Sequence, residues 1–518
     1  MQAKLRPTTK KASVQRAEAQ KRRGGCNDVA ADCVCCDSHK INRAAKKELQ
    51  KIAIFLNSCY NLCVKIFFGR MISILLFLNF FSCASNRGRA ALNFYEENAA
   101  LFLEFSLSNG IPVVLKNIPS EKNIELRVLF EGGASTSSRG KSGLDLFTFE
   151  LLSQNPAVKE LVSHGKYFCV NICSNDFSAY GFSSATADFE EGFAAFAESV
   201  LQPNFSHEDY LKKKSAAESA AFDRSENPRF ALLDSIAENL LRSHPYYDGV
   251  FYKTASRISE DDVEKNLKNL LDARRMKIIA AGNFSAAKDD EKKTKLSQEA
   301  IFAKNAEQIH EMLENIFGAI LPGEFSAPQI PAINFPNKKS EKKEFEFAGN
   351  YYYAALAQKS PARGADDYEA FALATLVADH ILRREIVQKN LATSCGTAVL
   401  NGKQSIALIV ANGINEGGDI KENIENALKK NLSAEEILPL LNAFKNIYAS
   451  KIYASEKNCY ATLEQIASSI FYEGSASAYL NRIEKIEKIS AEEVRAAYEK
   501  YFLSEEIFFV EVKNNFAK

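Results

Sequence analysis

The sequence predicts an α+β protein of two homologous domains, each an antiparallel sheet with helices packed on one face. Three observations carry that prediction: a unit that occurs twice, hairpins flanked by helices, and a strand whose apolar residues alternate. The repeated unit is a helix, an apolar strand and a polar turn closed by Phe. Ile258–Phe284 reads ISEDDVEKNLKNLLDARRMKIIAAGNF, and Ile489–Phe516 reads ISAEEVRAAYEKYFLSEEIFFVEVKNNF. In each, Ser259 or Ser490 stands as N-cap, with Asp262 or Glu493 three residues on as its capping-box partner. Two such units predict two similar domains, each ending in one of them.

In chain order, Asn109-Gly110 joins two extended runs, Leu103–Leu107 and Ile111–Leu115, as a hairpin. In the next strand Ile124, Leu126, Val128 and Phe130 point one way, and Glu125 and Arg127 the other. A small-residue loop follows, in which Gly132 and Gly133 ease a turn, then a short apolar helix for which Ser142 is the natural cap. Next come a helix over Ala157–His164, strands over Tyr167–Cys173 and Phe177–Ala185, and a helix over Phe189–Leu201. A long helical stretch, Ser206–Leu241, is broken near Pro228. The second half repeats the scheme: strand Glu344–Leu356, helix Tyr368–Val387, strands Gly396–Leu400 and Ser405–Ala411, then helices from Asp419. Between the halves, a charge run, a helix near Ile301–Phe317 and four prolines read as a linker. These signals divide the chain into an irregular head (1–63), a signal or anchor (64–83), a tether (84–100), a first domain (101–285), a linker (286–343) and a second domain (344–518).

The chain is neutral overall, but its charge is unevenly spread. Thirteen Lys/Arg against five Asp/Glu in residues 1–51, with Lys65 and Arg70, put the first 83 residues at +10 and the remainder at −10. An acidic body without a basic stripe argues against nucleic acid as a partner. Met71–Cys83 is an apolar run too short to span a membrane comfortably and of the size of a signal-peptide core. It resembles a bacterial lipoprotein signal, with Cys83 as the residue lipidated and left N-terminal, although Phe80 and Phe81 depart from the usual residues. The expectation is an exported, membrane-anchored lipoprotein, periplasmic or at the cell surface. The alternative is a single N-terminal transmembrane anchor. Four of the eleven cysteines follow Cys83, and Cys169 and Cys173, roughly 13 Å apart along a strand, are too distant to pair.

The strand, loop and helix around Glu131–Gln154 resemble the first signature of the pitrilysin/insulinase-type metallopeptidases. Further likenesses are Leu107–Leu115, Ser174–Ser178, His244-Pro245-Tyr246, Ile279–Phe284, Leu382–Ile386 and Ala392-Thr393. In that family a Gly-Leu pair, here Gly143-Leu144, opens a helix bearing the inverted zinc motif His-x-x-Glu-His. The motif positions here read Leu146, Phe149 and Glu150; the third ligand aligns near Lys213, and the second-domain Arg and Tyr align with Val387 and Ser394. The resemblance therefore implies the family's fold with a degenerate catalytic centre and no zinc, the family's cofactor. Asp145 and Glu150 lie roughly 140° apart on a helix and do not make a replacement metal site. Nor do the histidines, no two of which are closely spaced.

Two roles follow from the resemblance: partner subunit of a homologous peptidase that carries the zinc motif, or a stand-alone lipoprotein binding a peptide or unfolded protein. An active zinc peptidase with a rebuilt site is the alternative. The family adds substrate as a strand to a sheet edge, which points to Val170, Asn171, Ile172 and Cys173. Gly140-Lys141-Ser142 after a strand also has the setting of a phosphate-binding loop, but six residues, not four, separate its glycines.

Overall fold

The computed structural model describes residues 94–248, 254–286, 297–345, 352–414, 419–430 and 432–514. Cys83, the apolar run before it and the first ten residues of the tether lie outside them. The first half contains β1 (Phe102–Ser106), β2 (Pro112–Asn117), β3 (Asn123–Glu131), α1 (Leu144–Leu152), α2 (Pro156–Ser163), β4 (Phe168–Cys173) and β5 (Phe177–Ala185). It continues with α3 (Phe189–Leu201), α4 (His207–Ser225), α5 (Pro228–Leu240), α6 (Glu260–Leu270), β6 (Met276–Gly282) and α7 (Gln298–Phe317). The second half contains β7 (Lys339–Phe345), β8 (Tyr352–Ser360), α8 (Tyr368–Leu382), β9 (Ala392–Leu400) and β10 (Ser405–Ile414). It ends with α9 (Ile420–Lys429), α10 (Ala434–Ser455), α11 (Cys459–Glu473), α12 (Arg482–Lys488), α13 (Ala491–Phe502) and β11 (Ile507–Asn514).

The strand orders are β1-β2-β6-β3-β5-β4 and β7-β11-β8-β10-β9. Set aside β1, and the two sheets have one topology. In each, the strand of the repeated unit (β6 or β11) inserts between two earlier strands, parallel to the first and antiparallel to the second. Both sheets are thus antiparallel except at that one pairing. Ser259 and Ser490 close full capping boxes with Asp262 and Glu493, as their spacing predicts.

Three local expectations are corrected. Ser142 does not cap α1; the N-cap is Gly143, left-handed at φ 79 with no side-chain cap. A β-carbon disfavours that conformation, so glycine fits where serine would be strained. The strand expected over Glu344–Leu356 is two, β7 and β8, with β11 between them. The helix placed in the linker belongs to the first half: Phe302, Ala306, Ile309, Leu313 and Phe317 of α7 are buried against its sheet.

Each sheet packs its own helices on one face, and the other face is also covered, by the opposite half. The apolar side of β3 (Ile124, Leu126, Val128, Phe130) faces the core built with α1, α3 and α7. On its reverse face Val114, Leu129, Ala179 and Ile279 meet Leu463, Ile466 and Ala467 of α11. Reciprocally, Leu232, Ile236 and Leu240 of α5 cover Ala355, Ala357, Leu408, Phe508 and Val510 on the reverse of the second sheet. A sheet apolar on both faces must bury both, and the exchange of α5 and α11 does so. Among the described residues no helix is long and apolar enough to cross a membrane.

Candidate functional site

The altered motif lies where α1 packs against β4 and α4. Asp145, in the first turn of α1, is buried. It accepts hydrogen bonds from Ser178 Oγ on β5 (2.7 Å) and Asn266 Nδ2 on α6 (2.9 Å), and lies 3.8 Å from the Arg275 guanidinium. Both carboxylate oxygens are therefore used, one fixing α1 to the sheet and the other to α6. Burial holds the Arg275 pKa below its usual value, against the pull of Asp145.

Phe149, at the position of the family's catalytic glutamate, is fully buried. Its ring stacks between Phe130 (centroids 5.7 Å apart) and Tyr180 (5.6 Å), within the main core of the first half. Leu146 and Glu150 are half-buried and share one helical face with Ser153. Across from that face, β4 presents Cys169, Asn171 and Cys173. Asn171 Nδ2 reaches Ser153 Oγ at 3.5 Å, and its Oδ1 is buried without a partner among the described residues. The Cys173 thiol lies by the Leu146 and Ala134 amides; burial holds its pKa well above the usual thiol range, which keeps it protonated. The Cys169 residue is exposed, but its thiol turns toward Ser153; burial raises its pKa, opposed by Ser153 and by the charge of Lys213. Lys213, on α4, thus belongs to the same neighbourhood.

This donor set does not fit zinc. A catalytic zinc needs three protein donors and an open position. The four aligned positions offer a hydrocarbon, a core aromatic, one carboxylate and an ammonium. Asp145 is committed elsewhere, and among the described residues no group of three His, Cys, Asp or Glu could hold a metal ion. The phosphate-loop alternative also loses its lysine: Lys141 pairs with Asp262. Val387 and Ser394 lie in the other half, Val387 at the end of a π-helical turn after α8 and Ser394 on β9, where its Oγ accepts from Asn412.

The residues expected at a binding edge, Val170 to Cys173, lie on β4, the last strand of the first sheet, paired only with β5. Ser174 N–H donates to Phe177 O. By antiparallel alternation, Cys173, Asn171 and Cys169 then aim their N–H and C=O outward, away from β5. The side chains of those same three residues lean toward α1.

Sequence reasoning missed one hub. Asp176, in the β4–β5 turn, is buried and accepts from Tyr246 OH (2.5 Å), Lys403 N (2.9 Å) and Tyr472 OH (3.1 Å). It joins two stretches noted only as likenesses, Ser174–Ser178 and His244-Pro245-Tyr246, to the second half. Burial and the Asp176 charge push both phenols far up in pKa, so they remain donors.

No family model matches the sequence, and no curated protein is similar enough in sequence to count as a match. Solved structures do match. A protease from Helicobacter pylori is 16% identical with a TM-score of 0.65, over 80% of this chain and 99% of that one. A peptidase M16 inactive domain from Pseudomonas fluorescens is 17% identical with a TM-score of 0.65, over 80% and 98%. The periplasmic protease PqqL from Escherichia coli is 12% identical with a TM-score of 0.63, over 80% of this chain but 45% of that one. The likeness is one of fold: the described chain has the two-domain architecture of M16-like peptidases, the pitrilysin/insulinase type.

Proposed function

We propose that the protein is a non-catalytic homologue of M16 peptidases that takes up extended peptide or unfolded protein along β4. It works either as partner subunit of a zinc-bearing M16 peptidase or alone, exported and held at a membrane by a lipid on Cys83. The observation that carries this reading is the pairing of an open sheet edge with a centre unable to activate water. Phe149 cannot take a proton, Leu146 cannot bind a cation, and the Lys213 ammonium would repel one. The match to an inactive M16 domain supports the loss of catalysis. The likeness in fold to a periplasmic protease supports export.

The test is metal content and hydrolysis of the purified protein. Sub-stoichiometric zinc and no chelator-sensitive cleavage of an unstructured fluorogenic peptide are expected; one bound zinc per chain with such cleavage overturns the reading. Pull-down from native membranes then separates the two roles, since only the subunit role recovers a homologue with an intact inverted zinc motif. Mass spectrometry of the native N-terminus checks Cys83.

A further inference from the structure

Three consecutive lysines occupy one turn of α4, and only two of them are engaged. Lys212 pairs with Glu208 at 2.8 Å. Lys214 donates to Tyr210 OH and to the Ile258 carbonyl, both at 3.2 Å. Nearby, Lys159 is held by Asp209 (2.7 Å) and Lys166 by Glu191 (2.8 Å). Lys213 is half-buried, yet it has no hydrogen-bond acceptor and no ion pair among the described residues. Glu150, on the neighbouring helix, does not engage it within ion-pair distance. Its charge is nevertheless felt at Cys169, near the start of the open strand.

A partly desolvated ammonium without a counter-charge gains from an arriving carboxylate, through a charge-assisted bond stronger than the same contact in bulk water. The edge dictates how such a group arrives. A strand added to β4 alternates its side chains, one set toward α1 and α4, the other toward the opposite face. The first set passes Cys169, Asn171 and Cys173, of which Cys169 is the one that the Lys213 charge acts on. The second set meets Phe168, which is 61% exposed.

We propose, building on the reading of β4 as a binding edge, that the segment it takes up is acidic: an Asp or Glu side chain directed at Lys213, next to an apolar residue resting on Phe168. The cation that stands at the family's third-ligand position thereby serves as a specificity residue for peptide rather than a remnant of metal chemistry.

The experiment uses the whole protein and two pools of unstructured, C-terminally amidated octapeptides. The pools are identical except that Asp and Glu in one are Asn and Gln in the other. Fluorescence anisotropy is expected to give about tenfold tighter binding of the acidic pool. Lys213→Gln should abolish the preference, and Lys213→Glu should reverse it toward the neutral pool. Equal binding of the two pools by the native protein overturns the acidic specificity while leaving the edge-strand reading in place. Binding of neither pool overturns the edge-strand reading as well.

Discussion

The two sheets share one strand order but treat corresponding edges and reverse faces differently. In the first half, β4 leaves the outward N–H groups of Cys169, Asn171 and Cys173 without a partner among the described residues. In the second half, β9 occupies the same place, but Asp379 of α8 accepts the outward Thr397 N–H at 2.6 Å. A carboxylate from the adjoining helix therefore caps one outward donor of this edge, whereas among the described residues none is capped on its counterpart. The reverse faces differ as well. That of the second sheet is lined by Ala355, Ala357, Leu408, Phe508 and Val510. That of the first carries buried Lys116, Glu125 and Arg127. Duplication preserved the framework, and the halves diverged in where each exposes backbone and where each buries charge.

The largest expected effect tests the reverse faces. Arg127 is fully buried, 2.6 Å from Glu125 and 2.5 Å from Glu464. Arg127→Leu leaves Glu125 buried without its counter-charge and is expected to cost about 3–5 kcal/mol in urea unfolding. The double variant with Glu125→Leu should lose much less, because no uncompensated ion remains. Equal losses would mean that packing, not charge pairing, holds α11 on the first sheet.

A matched pair of prolines tests the edges. Thr397→Pro strips Asp379 of its backbone donor and is expected to cost about 1–3 kcal/mol. Asn171→Pro removes an N–H that no strand uses, so it should change stability far less while abolishing peptide binding measured by anisotropy. Similar stability losses at the two sites would erase the distinction between a closed edge and an open one.

The same edge should answer to pH. Burial pushes Asp379 up to about 6, above the ~3.9 of an unfolded aspartate. The folded state therefore holds this proton more tightly. The group's contribution to stability is greatest below pH ~4, declines through the window up to about 6, and is flat above it. Asp379→Asn, which keeps an acceptor for Thr397, should stabilise the protein by about 1–2 kcal/mol at pH 8, with the advantage fading toward pH 4. Thermal melts at the two pH values measure it. The smallest effect is expected at Glu150→Gln, within about 0.5 kcal/mol in the same melts, since the half-exposed carboxylate anchors nothing.

Much of the fold was legible because its signals are local. Asn109-Gly110, the alternation of Ile124 to Phe130 and the Ser259 and Ser490 caps each depend on neighbours two to four residues away. That Leu146, Phe149 and Glu150 fall within one helix was legible for the same reason, since the Gly143-Leu144 pair marks its start. Asp379 escaped notice because an aspartate inside a helix gives no sign that it caps another strand. Alternation places Glu125 and Arg127 only on the face opposite Ile124 to Phe130, since it cannot tell water from a helix contributed by the other half. Asp176, noted only within the Ser174–Ser178 likeness, gives no local sign of its partners in the second half.

By itself, the sequence determined the duplication, the order of helices and strands, and the presence of hydrocarbon and ammonium side chains at Leu146, Phe149 and Lys213. Those features are set by short-range periodicity, capping and residue identity. Only the tertiary structure decided that α5 and α11 each cover the other half's sheet, that Arg127 finds Glu464 across 337 residues and Asp176 finds Tyr472 across 296, and that a helix carboxylate caps a donor on one edge and none on its twin. The physical reason is that burial and hydrogen-bond satisfaction are settled by whichever groups the folded chain brings into contact, however far apart they lie along it.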